Sequence, residues 1–188
     1  PNLGAFIGHG SIREAVLGRV DRAPTAGELE RMRALALEGM RDGAFGLSTG
    51  LFYVPATFSK TDEVVELAKV VGASGGIHIS HMRDEELGVE DSVRETIAIG
   101  EQGGLPTQVT HHKTIGKASW GKTVDTLRQI DEARQRGVDV TLDVYPYTAS
   151  ATSISAALLP VWAQEGSRDD MLKRLRDPVT RRRILVET

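Results

Sequence analysis

His81 and His111 each stand where a short apolar run gives way to polar residues. If the two runs are neighbouring parallel strands, their ends lie about 5 Å apart. Two imidazoles placed there can converge on one divalent metal, with bonds near ~2.1 Å for Zn²⁺. Arg83, Asp84, Lys113 and Asp143 crowd the same rim and favour that reading over two unrelated strand-capping histidines. His78 sits an odd number of positions before His81, so on a strand it faces the other way and is expected to be packed or on the surface. His112 faces away from His111 for the same reason, although spacing alone leaves open which of the two is the ligand. His9, in Gly8-His9-Gly10-Ser11, follows another apolar run and precedes a helix that Ser11 could cap. It could reach the same rim, with an indirect role favoured. Lys113 shares the side of His111 if the strand persists, and could bind a carboxylate or meet the nucleophile. A Schiff-base lysine is the competing role, and nothing specific supports it.

The elements that must position these residues follow from the apolar pattern. Short runs at Leu3–Ile7, Ala44–Leu47, Gly76–Ser80, Leu105–Thr110 and Val138–Val144 lack clean alternation, as strands buried on both faces do. Helical patterns lie between them. Thr25 and Glu28 form a capping-box pair ahead of Leu29, Met32, Leu35, Ala36 and Met40. Thr61, Asp91 and Thr123 open three further segments of the same design, and Gly43, Gly75, Gly104 and Gly137 sit where a helix turns into the next strand. Alternating strand and helix predicts a parallel α/β sheet, either a barrel or a doubly wound sheet. No Gly-x-Gly-x-x-Gly follows a strand and opens a helix, which weakens the dinucleotide-binding alternative. After Thr152 the pattern becomes Ala/Leu-rich and then highly charged. Residues 1–152 are therefore expected to form barrel units, and 153–188 a helical insertion ending in one helix over Arg168–Glu187.

The chain has 188 residues, 40% hydrophobic and 26% charged, with a formal charge of −3. That length suits one domain but is short for a whole β/α barrel, which needs about 250 residues. The charge balance gives no support for nucleic acid or anionic membrane as a partner, and Arg181–Arg183 reads as a solvated helix face. There is no cysteine, so a disulfide framework and a thiolate metal site are both ruled out within these residues. A cytoplasmic location is the expectation that fits. No apolar run approaches the ~20 residues of a membrane span, and the first residues lack the pattern of a signal peptide. Both ends look cut, so a fragment or a processed piece is expected.

The rim segments GHGSIR (8–13), GLSTGLFYVPA (46–56), HMRDE (81–85), THHK (110–113) and LDVYPYTAS (142–150), taken together and in this order, resemble the N-acyl-D-amino-acid deacylases (D-aminoacylases) of the amidohydrolase superfamily. The resemblance implies a TIM-type (β/α) barrel, present here as about strands 3 to 7, that uses Zn²⁺ to hydrolyse the amide of a small N-acyl-D-amino acid. It implies that His81 and His111, the first histidine of His-His-Lys, bind zinc. It assigns substrate contacts to Lys113, Tyr147 and Ser153, with Tyr145 and Ser150 as near alternatives, and makes residues 153–188 the start of a lid-like insertion. The family's first-strand His-x-His, its bridging cysteine and its general-base aspartate have no match, and Asp143, at the end of the strand before, is not that base. The expectation is an active parent enzyme whose catalytic base lies outside this chain, the chain alone being inactive and binding zinc weakly. A cyclic-amide hydrolase of dihydroorotase or hydantoinase type is the alternative within the superfamily. A non-catalytic piece serving only packing or assembly is the alternative outside it. Open sheet edges also predict self-association.

Overall fold

The apolar runs become five short strands: β1 (Ile7–Gly8), β2 (Gly46–Gly50), β3 (Ile77–His81), β4 (Thr107–Val109) and β5 (Val140–Leu142). A computed structural model describes residues 1–188. The strands pair in chain order, all parallel, as crossover helices on one side require. Those helices are α1 (His9–Leu17), α2 (Ala26–Arg41), α3 (Thr61–Ala73), α4 (Val89–Gly103) and α5 (Thr123–Gln135). The result is an arc of a (β/α) barrel whose outer strands, β1 and β5, are edges.

Local signals account for much of this. Thr25 and Glu28 make both bonds of the capping box that starts α2. Gly43, Gly75, Gly104 and Gly137 all have positive φ, at 97°, 76°, 67° and 90°, the left-handed turn by which a helix stops without a Cβ clash. The other expected caps do not form. Thr61, Asp91 and Thr123 lie inside the first turns of α3, α4 and α5, which begin after Lys60, Gly88 and Lys122. The Thr61 hydroxyl instead donates to Glu95 at 2.9 Å. Ser11 likewise lies within α1, whose cap residue is Gly8.

The two faces of the sheet differ sharply. Leu47, His78, Thr107, Val109 and Val140 are buried beneath the helices. One apolar core gathers Met32, Leu47, Val64 and Leu67, and a second gathers Met82, Val93, Val109, Ile130 and Val140. The opposite face carries Ser48, Ile79, Gln108 and Thr141 in register across β2 to β5. Ile77 on that face is 36% exposed. His78 is a packed histidine, as its parity requires. Its ring nitrogens lie 3.0 Å from Thr49 Oγ1 and 2.8 Å from Thr107 Oγ1.

After β5 come α6 (Ile154–Leu158), α7 (Arg168–Arg176) and α8 (Pro178–Glu187). The single charged helix expected over Arg168–Glu187 is two helices. Asp177 is extended (φ −71°, ψ 120°) because the Pro178 ring disfavours helical backbone before it, and Pro178 then starts α8. The segment folds back on the barrel units, the Gly166 N–H donating to Arg19 O at 2.7 Å. No helix is long and apolar enough to cross a membrane.

Candidate metal centre

His81 is the last residue of β3, and His111 lies just past the end of β4. Their side chains meet, His81 Nδ1 standing 2.7 Å from His111 Nε2. The loop after β2 walls the other side of His81. The rings of Tyr53 and Phe52 lie 4.8 Å and 5.9 Å from it, centre to centre. Burial pushes the pKa of His81 down to about 4; Glu85 opposes the shift, and His111 and Lys113 add to it. At neutral pH the ring is therefore uncharged and has a lone pair to offer. An open cavity of about 300 Å³ adjoins Tyr53 and is lined by Ser11, Ser48, Thr49 and Pro55.

His111 is held in a way strand parity does not anticipate. Its φ is +43°, the one non-glycine residue in the left-handed region, which costs about 1–3 kcal/mol and must be over-determined by its surroundings. Asp143 does this. Its carboxylate accepts the His111 N–H at 2.6 Å, its backbone oxygen accepts the His112 N–H at 2.8 Å, and Gln108 Nε2 donates to the same carboxylate. The turn, not a continued strand, brings Lys113 alongside. Lys113 Nζ is 3.0 Å from His111 Nδ1 and 2.6 Å from the Glu85 carboxylate. Glu85 is 8% exposed and lies 3.0 Å from His111 Nδ1. Donor atoms of His81, Glu85 and His111 all fall within 4.8 Å of one another.

Other expected rim residues point elsewhere. Arg83 forks onto Glu95 at 2.8 and 2.9 Å and binds the backbone oxygens of Thr57 and Ser59. Asp84 accepts the Glu86 and Gly88 N–H groups, shaping the turn into α4. His112 turns under α5, 2.8 Å from Thr126 Oγ1. His9 does not reach the rim. It is fully buried in the helix layer, 2.9 Å from Glu63 Oε1, with Arg13 on the other carboxylate oxygen.

The segment after β5 carries the two remaining residues. Tyr147 is 76% exposed, and Ser153 accepts the Ala156 N–H as the cap of α6. Tyr145 is closer to the centre: its ring lies 5.5 Å from Lys113 Nζ and 6.4 Å from the His111 ring. Tyr53 ties this segment to the β2 loop, its hydroxyl 3.0 Å from Thr152 Oγ1. Reading the sequence misses the roles of Glu85, Asp143 and Tyr53. Glu85 carries a signal all the same: an acid just past one strand end faces a lysine just past the next.

No protein-family model matches the chain. It is 40% identical over 153 residues to a D-aminoacylase of Alcaligenes xylosoxydans xylosoxydans, an alignment covering 81% of this chain and 31% of that protein. An N-acyl-D-glutamate deacylase of the same organism is 41% identical over 151 residues, covering 80% and 31%. The crystal structure of N-acyl-D-glutamate deacylase from Bordetella bronchiseptica, complexed with zinc and a phosphonate mimic of the tetrahedral intermediate, superposes with a TM-score of 0.75 at 41% identity. It covers 78% of this chain and 31% of that one. The chain thus spans about a third of the length of the relatives it matches. In sequence and in fold, the chain is similar to one stretch, about a third, of these N-acyl-D-amino-acid deacylases.

Proposed function

We propose that the chain is the part of a zinc-dependent hydrolase that cleaves the linear amide of N-acyl-D-amino acids, releasing a carboxylate and the free D-amino acid. The observation that carries this is the convergence of His81 Nδ1 and His111 Nε2 at 2.7 Å beside Lys113. That separation is within about 1 Å of the spacing of two nitrogens on one tetrahedral zinc. Imidazole nitrogens suit the metal, that of His81 being kept neutral by burial, and these residues include no thiolate. His81 and His111 would hold it. Zinc held there would supply an activated water and a Lewis acid for the acyl carbonyl.

The chain's own residues do the rest of the positioning. Burial keeps His81 unprotonated at working pH. Lys113 presents an ammonium to the substrate α-carboxylate, and Tyr145 flanks it. Glu85 already compensates part of that charge, which tempers its pull on an anion. Tyr147 and Ser153 lie on the segment that Tyr53 tethers across the site, and that segment would close over the substrate. Two histidines are fewer than the usual three protein ligands of catalytic zinc, and a general-base aspartate would have to come from outside these residues. The 188 residues alone are therefore inactive and bind zinc weakly.

The test has two arms. In the first, Zn²⁺ affinity of the chain is measured by competition with a chromophoric chelator. His81→Ala and His111→Ala should each reduce it strongly, and His112→Ala should leave it within a few-fold. In the second, the zinc-loaded protein carrying this chain is assayed on N-acetyl-D-glutamate, N-acetyl-D-methionine, their L-forms and a hydantoin. Turnover of the hydantoin alone, or zinc binding indifferent to His81 and His111, overturns the proposal.

A further inference from the structure

We propose that Glu85 is the positioning residue of this centre, orienting His111 so that its Nε2 faces the metal; the inference rests on the zinc reading above. An imidazole that offers its Nε2 lone pair must carry its proton on Nδ1, and that N–H needs an acceptor. Glu85 Oε1 is within reach, 3.0 Å from Nδ1. The neighbouring Lys113 Nζ, also 3.0 Å from Nδ1, is only a donor. A lysine donating to Nδ1 imposes the opposite tautomer, with the proton on Nε2 pointing at His81. Glu85 decides between these states, because the same carboxylate draws off the Lys113 ammonium at 2.6 Å and offers an oxygen to Nδ1–H.

Glu85 can act this way because it is fixed. It is 8% exposed, and its backbone oxygen accepts the Ile115 N–H at 2.7 Å, stapling the β3 loop to the β4 loop. Its place across the ring separates this role from that of a third ligand. Nε2 faces His81, while the carboxylate sits at Nδ1 on the other edge.

The experiment measures Zn²⁺ affinity of the chain by chelator competition, with the Co²⁺ absorption spectrum reporting coordination and ¹⁵N shifts of labelled histidine reporting the tautomer. Glu85→Ala should weaken zinc binding about 10- to 100-fold, with loss of the Nδ1–H signature of His111. Glu85→Gln keeps an acceptor oxygen at the same length, so it should bind within about 10-fold of wild type and give an unchanged Co²⁺ spectrum. Lys113→Met should bind equally or more tightly. Wild-type affinity in Glu85→Ala overturns the proposal. So does a change of Co²⁺ coordination in Glu85→Gln, which would make Glu85 a ligand, or a loss in Lys113→Met as large as in Glu85→Ala. If His81→Ala and His111→Ala leave zinc binding intact, it is the zinc reading that fails; if they abolish it while Glu85→Ala does not, only the positioning role fails.

Discussion

Acid should loosen the sheet through His78, and the size of the effect follows from its surroundings. The ring is fully buried between Thr49 and Thr107. Burial pushes its pKa down from 6.5 to about 3, with His9 adding to the shift. In the unfolded chain the same histidine binds its proton near 6.5. Between these values the unfolded state holds the extra proton, so stability is complete above pH 6.5 and falls as pH drops towards 3. At about 1.4 kcal/mol per pH unit below 6.5, His78 alone removes about 2 kcal/mol at pH 5. For a chain of this size that lowers Tm by roughly 4–8 °C. His81 titrates in a similar window, so the informative quantity is a difference between proteins. Urea denaturation at pH 7.5 and pH 5.0 should show wild type losing about 2 kcal/mol more than His78→Gln, whose neutral amide can bond the same hydroxyls. An identical acid-induced loss in both proteins would refute the reasoning.

Two further outcomes test the scaffold around the site. Arg13→Met leaves the Glu63 carboxylate buried with only His9 beside it, and should cost about 3–5 kcal/mol by denaturant titration. Adding Glu63→Leu should restore most of that, and a double variant as unstable as the single would contradict it. Asp143→Ala strips the acceptor from the left-handed His111 N–H, an unpaired-donor loss of about 1–3 kcal/mol. Faster amide exchange at His111 and His112 should report it, with Asp143→Asn milder, and unchanged exchange would count against the restraint.

Much of the fold was legible because its signals are local. A threonine and a glutamate one helical turn apart cap α2 wherever they occur, and glycines end helices because only they turn left-handed cheaply. Strand parity separated His78 from His81. The break at Asp177-Pro178 was equally local, yet the charge pattern ran through it and masked it.

Past the strand ends that logic stops. Spacing puts Lys113 beside His111 only if the strand continues. It arrives there instead through a turn at φ +43° that Asp143 stabilises from the next strand. The place of His9 after β1 allows it to reach the rim but favours an indirect role, and Glu63 on α3 holds it in the helix layer. The sequence by itself determined the parallel strand-helix order and the two histidines at neighbouring strand ends, because periodicity and capping act within a few residues. Only the tertiary structure decided that Glu85 backs His111, that Arg83 and Asp84 do not join it, and that Tyr145 lies nearer than Tyr147. Loop side chains are oriented by partners from other strands, and no repeat in the sequence encodes those contacts.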